Sequence, residues 1–280
     1  MIDWAAGSGH LTAGGKSLEW ACWGPAPSDG PGDGPGDGPA IVLLHEGLGC
    51  VALWRDVPQR LAQATGLPVL AYSRAGYGGS DPADLPRPPD YMTREAVQVL
   101  PQVLDALGAA KVVLMGHSDG ATIAAEHAGR VADPRVRALV LMAPHFFTEA
   151  MGLAEIAAAK RAYDSGDLRD RLARHHADPD NAFRGWNDAW LAPGFRAWHV
   201  GEVVDYWRVP ALVIQGQDDQ YGTAAQVAEA ESRSYAPVEV LMLPDCRHAP
   251  HLDQPDAVLA AVADFTARLQ RIEAAEVIPA

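Results

Sequence analysis

The pentapeptide Gly116-His117-Ser118-Asp119-Gly120 has the pattern G-x-S-x-G and stands between the apolar run Val112-Val113-Leu114-Met115 and a stretch of helical periodicity. A serine on so tight a strand-to-helix turn is held in a strained backbone conformation. Glycines on either side let strand and helix approach, and the hydroxyl projects from the carboxyl edge of the sheet. A serine hydroxyl is a weak nucleophile until a base removes its proton, and an imidazole titrating near neutrality can take that proton and later return it to a leaving group. His248 and His251 both lie in the loop after the last predicted strand, within Arg247-His248-Ala249-Pro250-His251-Leu252-Asp253-Gln254-Pro255. His248 is the preferred base and His251 the next choice. The imidazole in turn needs a carboxylate to orient it, and the run Ala211-Leu212-Val213-Ile214-Gln215-Gly216 is followed by two, Asp218 and Asp219.

These residues must be carried by a scaffold that brings strand ends together. From about residue 40 onward, short apolar runs alternate with amphipathic stretches, which calls for crossover helices and an α/β fold with a mostly parallel central sheet of about eight strands. The expected strands cover residues 17–23, 40–45, 68–73, 111–116, 136–143, 211–216 and 238–243. The runs Ile41-Val42-Leu43-Leu44 and Leu139-Val140-Leu141-Met142 do not alternate, as expected of strands buried on both faces. Helices are expected over 54–65, 93–107, 119–131, 223–234 and 254–273, with Thr93 at the start of the second and Gly66 and Gly108 as stops. Between 144 and 208 the strand rhythm lapses into Trp-rich helical sequence, read as a cap inserted into a core formed by 1–143 and 209–280. The Gly/Pro/Asp-rich stretch 25–39 reads as a flexible loop. It lacks the ordered ligand set and closing Glu of a calcium loop.

The chain resembles the α/β-hydrolase superfamily over most of its length. The order Ser, Asp, His matches that family. His45-Glu46-Gly47-Leu48-Gly49 is similar to its strand-terminal His-Gly oxyanion motif, and Ser73-Arg74-Ala75-Gly76-Tyr77-Gly78-Gly79-Ser80 is similar to its D-R-x-G-x-G-x-S segment. In the family the acid stands three residues after the glycine that closes its strand, which selects Asp219 over Asp218. The resemblance also implies an oxyanion hole built from the backbone N–H groups of Gly47 and Asp119, with Asp119 valued for its amide rather than its carboxylate. Two residues depart from the pattern. Arg247 replaces the glycine before the family's histidine, and Glu46 stands where glycine is usual. A carboxylate there opposes developing negative charge unless neutralised. Arg74 is the expected partner, the pair bracing the loop; the other reading is a solvent-facing Glu46 with no role.

Trp186 and Trp190 are four apart and share a helical face, with Phe195 and Trp198 following. Either they fill the cap's own core, or Trp186, Trp190 and Trp198, with Glu46, line a substrate site above Ser118. His117 is expected to be a packed, hydrogen-bonded neighbour. His175-His176 reads as a solvated helix end, because adjacent histidines diverge on a helix and no H-E-x-x-H spacing accompanies them; no metal is expected. Gly76-Tyr77-Gly78-Gly79 lacks the third glycine of a dinucleotide fingerprint, so no cofactor is expected.

Hydrophobic residues at 48% and charged residues at 21% fit a globular chain and exclude a mostly disordered one. A net charge of -14 disfavours nucleic acid and polyphosphate partners and leaves neutral or cationic small molecules. Cys22, Cys50 and Cys246 fit reduced thiols, and with no leader-like or membrane-spanning segment the expected location is cytoplasmic, without a membrane partner. The expected activity is hydrolysis of small to medium, largely apolar carboxylic esters through a Ser118 acyl-enzyme, with lactones and thioesters in range. The resemblance leaves two alternatives: a carbon–carbon bond hydrolase or cofactor-independent lyase or dearomatising enzyme, and a non-enzymatic ligand receptor on the same fold.

Overall fold

Continuous apolar runs flanked by glycine and proline form the centre of an eight-stranded sheet in the computed structural model, which describes residues 1–27 and 38–276. The strands are β1 (Ser8–Ala13), β2 (Lys16–Trp23), β3 (Ala40–Leu44), β4 (Val69–Tyr72), β5 (Val112–His117), β6 (Val136–Met142), β7 (Ala211–Gly216) and β8 (Val238–Leu243). Their order is β1-β2-β4-β3-β5-β6-β7-β8. The first two pairings, β1 with β2 and β2 with β4, are antiparallel, and all the others are parallel. The runs without alternation occupy β3, β5 and β6, where almost every residue is buried, because helices cover both faces of a parallel sheet.

The helices are α1 (Val57–Thr65), α2 (Tyr91–Arg94), α3 (Leu100–Leu107), α4 (Asp119–Arg130), α5 (Ala150–Ser165), α6 (Leu168–Leu172), α7 (Pro179–Leu191), α8 (Ala224–Arg233), α9 (Pro250–Asp253) and α10 (Pro255–Glu276). Gly66 and Gly108 do end α1 and α3, each in the left-handed conformation that only glycine adopts without cost. The stretch expected as one helix over 93–107 starts earlier, at Tyr91, and contains a π turn, Glu95–Val99. That turn lies just before Pro101, whose missing N–H and bulky ring do not fit a regular α ladder. Thr93 is inside the helix rather than at its start, and its hydroxyl donates to Glu126 at 2.6 Å. The loop expected over 25–39 lies largely outside the described residues.

Between β6 and β7 the chain makes α5, α6, α7 and two short 3-10 turns, Pro193–Ala197 and Gly201–Tyr206. Pro179 opens α7 at a position that needs no N–H, and the Asp178 carboxylate caps it by accepting from the Asn181 amide at 2.9 Å. The buried face of α7 carries Phe183, Trp186 and Trp190. This segment is tied to the sheet side by His176. The His176 Nδ1 accepts from the Gly78 amide at 3.0 Å and its Nε2–H donates to the Leu48 carbonyl at 3.1 Å. His175 is exposed as expected, but His176 is buried. No described helix is long and apolar enough to cross a membrane.

Candidate active site

At the end of β5 the chain reverses into α4 within one residue, Ser118, with φ 54° and ψ −119°. Such a conformation costs a non-glycine residue about 1–3 kcal/mol and persists only where the surroundings impose it. Here they do. A Cβ on Gly116 would meet the Gly120 carbonyl oxygen at 2.3 Å, and one on Gly120 would meet the Leu44 carbonyl oxygen at 2.0 Å. The glycines are therefore what allows α4 to lie against β5 and β3.

The Ser118 hydroxyl lies 2.9 Å from His248 Nε2. On the other side of the ring, Nδ1–H donates to Asp219 Oδ2 at 2.8 Å, with Oδ1 at 3.0 Å. Asp219 also accepts from Gln215 Nε2 at 2.8 Å and from the amides of Tyr221 at 2.8 Å and Gly222 at 3.3 Å. Burial works against its charge, but the bonds from His248 and Tyr221 outweigh burial and hold the carboxyl below its ordinary range. Asp218 points into solvent. His251, the second choice as base, is buried between the rings of Trp54 and His117, at centroid distances of 4.9 and 4.8 Å. The Nε2–H of His117 donates to the His248 carbonyl at 2.7 Å, so the residue preceding the serine fixes the loop that bears His248.

Gly47, Asp119, Trp186, Trp190 and Glu46 line a cavity of about 130 Å³ beside Ser118, together with His145, Glu149, Ile156 and Tyr221. The Trp186 ring lies so close to Gly47 that a Cβ there would meet it at 2.2 Å. Trp198, expected in this lining, instead stands behind it. It stacks on Phe195 at 5.1 Å and meets Trp190 edge-on at 5.7 Å, because the 3-10 turn after α7 takes the chain off the helical face.

The expected Glu46–Arg74 pair does not form. Arg74 is buried and donates to the backbone carbonyls of His45 and Glu46, the latter at 3.0 Å, while its charge faces Asp119 at 4.0 Å. The Glu46 carboxylate instead faces His117 Nδ1 at 3.4 Å and remains 30% exposed. Burial opposes its ionisation, but the contact and charge of His117 hold its carboxyl well below the usual range. Asp119 likewise does more than offer an amide. Its fully buried carboxylate accepts from the Tyr91 hydroxyl and, at 3.3 Å, from Trp190 Nε1–H. Burial pushes that carboxyl up, and Arg74 and Tyr91 pull it back. One buried network thus joins α7, the serine turn and the Gly47 loop. Arg74→Met leaves Asp119 without its cation and two carbonyls without donors. It is expected to destabilise the fold by about 3–5 kcal/mol in urea unfolding, with Arg74→Met/Asp119→Asn recovering part of the loss.

Burial and the neighbouring His248 lower His145 to about 3, and burial and His117 lower His251 to about 3. The unfolded chain binds protons at these histidines below their ordinary value of about 6.5, whereas the folded chain does so only near 3, so stability falls as pH drops through this window. Each contributes a loss of about 2 kcal/mol between pH 7 and pH 5. The raised carboxyls of Asp119, Glu95 and Glu126 oppose the trend at its acid end. Urea unfolding across this range is expected to show a fall that His251→Phe reduces by about half of the two-histidine total.

A serine hydroxyl, an imidazole and a carboxylate connected in series can move a proton off the serine and back to a leaving group. No group of His, Cys, Asp and Glu that could hold a metal occurs among the described residues. The three cysteines are free and buried, and burial raises each thiol to about 11, far from a reactive thiolate.

The model of the Alpha/beta hydrolase family matches residues 41–261. The chain belongs to the alpha/beta hydrolase family. A curated relative of this alpha/beta hydrolase, Epoxide hydrolase 3 of Xenopus tropicalis, is 23% identical over 72% of the chain, and the match spans 65% of that relative's length, just under two thirds. Among solved structures, the enol-lactonase from Burkholderia xenovorans LB400 is similar with a TM-score of 0.70 and 21% identity, covering 92% of this chain and all of that one. Naproxen esterase from Bacillus subtilis is similar with a TM-score of 0.68 and 18% identity, covering 92% of this chain and 90% of that one. At these identities the structural likeness shows the fold, and hydrolase chemistry follows at the level of the family.

Sequence reasoning did not find His145, Glu149 or Tyr221 as cavity residues. His145 follows β6, the strand beside β5, and Tyr221 comes two residues after Asp219. The available signal was position at the carboxyl edge of the sheet, without any motif.

Proposed function

We propose that this chain is a serine hydrolase of small, largely apolar carboxylic esters, with lactones and thioesters in range. The observation that carries the reading is the unbroken series Ser118 Oγ, His248, Asp219 opening on a small cavity whose walls include Trp186, Trp190 and Ile156. His248 takes the Ser118 proton as Oγ attacks the ester carbonyl. The resulting oxyanion is held by the amides of Gly47 and Asp119, the second of which belongs to the first turn of α4, where helical N–H groups lack intrahelical acceptors. Collapse of this intermediate expels the alcohol, which receives the proton from His248. Water, deprotonated by the same imidazole, then attacks the acyl-enzyme, and the acid leaves as Ser118 regains its proton. Asp219 stays charged and stabilises the imidazolium formed in both halves.

Residues 144–208 act in this reading as a cap, contributing His145, Glu149, Gly152, Ile156, Trp186 and Trp190 to the site. The cavity, at about 130 Å³, is comparable to the roughly 150 Å³ that holds benzene in an engineered core. This favours the small end of the ester range. A p-nitrophenyl ester panel of increasing acyl length tests it. Acetate and butanoate esters are expected to exceed octanoate in kcat/KM by about tenfold or more, as each excess methylene that cannot be housed costs transition-state binding. A flat profile overturns the size assignment, and turnover of a vinylogous diketone but of no ester overturns the ester reading.

A further inference from the structure

His145 is 5% exposed and lines the cavity, yet among the described residues its imidazole has no hydrogen-bond partner. Its place is fixed all the same. Its carbonyl accepts from the Thr122 hydroxyl at 2.7 Å, its ring meets Trp190 edge-on at 5.3 Å, and Gly222 leaves it room, since a Cβ there would lie 3.2 Å from the ring. Neither ring nitrogen is sealed off from the cavity, so an imidazole held this firmly at its wall offers a donor and an acceptor to a group on the ligand.

The charges around it define that group. Among the described residues the lining contains no Lys or Arg but includes Glu46 and Glu149. Glu149 accepts from the Thr223 amide at 2.9 Å, the Thr223 hydroxyl at 2.7 Å and Gln226 Nε2 at 2.8 Å, all neutral donors that leave its charge in place. Glu46 also lines the cavity, with its 30% exposed carboxylate against His117 Nδ1 at 3.4 Å.

We propose that, within the serine-ester reading above, His145 recognises a hydroxyl or ammonium group on the substrate, while Glu46 and Glu149 reject substrates that carry a carboxylate. A neutral imidazole offers one acceptor and one donor, which a hydroxyl satisfies together and an ammonium satisfies in part. Burial keeps His145 neutral down to about pH 3. A site built to hydrogen-bond one group discriminates against analogues that lack it more strongly than an apolar wall does.

The test uses p-nitrophenyl esters of equal acyl length ending in methyl, hydroxymethyl or carboxylate, together with phosphonate probes bearing the same three ends. In the unaltered protein the hydroxyl ester is expected to exceed the methyl ester in kcat/KM by about fivefold or more, and the carboxylate ester to fall about tenfold or more below it. His145→Phe is expected to abolish the hydroxyl preference, mainly through KM. Glu149→Gln is expected to raise the carboxylate ester relative to the methyl ester by about fivefold. Ratios within about twofold across the series in the unaltered protein overturn the inference whether or not the variants fold, since all binding contacts there are intact. If the probes label Ser118 but no ester is turned over, the ester reading fails, and the relative labelling rates of the three probes still decide the selectivity. If neither labelling nor turnover occurs, both readings fall.

Discussion

Ser118→Ala is expected to lower kcat on a p-nitrophenyl ester by about 10⁴- to 10⁶-fold with KM changed far less, because it removes the atom that forms the acyl-enzyme in the proposed mechanism and leaves the cavity and amides in place. The comparison with Ser118→Gly adds a test of the backbone. At φ 54° and ψ −119° a serine or alanine carries strain that glycine relieves. Glycine's extra entropy in the unfolded chain offsets part of that gain. Ser118→Gly is therefore expected to be as inactive as Ser118→Ala but more stable by about 1 kcal/mol in urea unfolding. A stable, inactive glycine variant would show that the strain is held for the sake of the hydroxyl's position. A Ser118→Ala protein that retained its rate would remove the nucleophile from the account.

Asp219→Asn is the second large effect, with an expected fall of about 10⁴-fold in kcat. The Asp219 carboxylate accepts from His248, Gln215 and two backbone amides at once. An amide at that position must present its NH₂ to one of those donors, and any arrangement that keeps the backbone bonds turns the NH₂ toward His248. The imidazole then carries its proton on Nε2, where it cannot accept from Ser118. Asp218→Asn, which alters only an exposed carboxylate one residue away, is expected to stay within about twofold of the unaltered rate. The pair thus tests the choice between adjacent acids. Equal losses in both variants, or a larger loss at Asp218, would contradict the assignment.

Much of the scaffold could be read from the chain because its signals are local. Apolar runs without alternation mark β3, β5 and β6 as doubly covered strands, and glycines at φ above 70° mark the ends of α1 and α3. The edge strand β1 was not legible. Its sequence Ser8-Gly9-His10-Leu11-Thr12-Ala13 buries only Ala13 fully, so it carries almost no hydrophobic pattern. The π turn before Pro101 escaped as well, since periodicity reads the same through a single widened turn.

In the site, residue types with strict spatial requirements were legible and side-chain directions were not. G-x-S-x-G located Ser118 because only glycines permit the contacts made by α4. Arg74 and Glu46 are neighbours as expected, but sequence does not tell a carboxylate from a backbone carbonyl as the arginine's acceptor, and here the arginine takes the carbonyl. Asp119 was read for its amide alone, although Tyr91, Trp190 and Arg74 surround its carboxylate from three separate segments. Such convergence is set by the fold and leaves no spacing in the chain. Trp198 stands outside the lining for a related reason: the 3.6-residue period that joins Trp186 to Trp190 ends with α7 at Leu191, and nothing in the chain beyond it sets which way Trp198 faces.

The central claim is that Ser118, activated through His248, is the nucleophile. Incubation with a fluorophosphonate followed by mass spectrometry of the digested protein tests it directly. One phosphonyl group is expected per chain, on the peptide containing Ser118. His248→Ala is expected to slow its attachment by at least about 10²-fold, as loss of the general base requires. A phosphonyl group on another residue, or labelling that persists unchanged in Ser118→Ala, would contradict the claim.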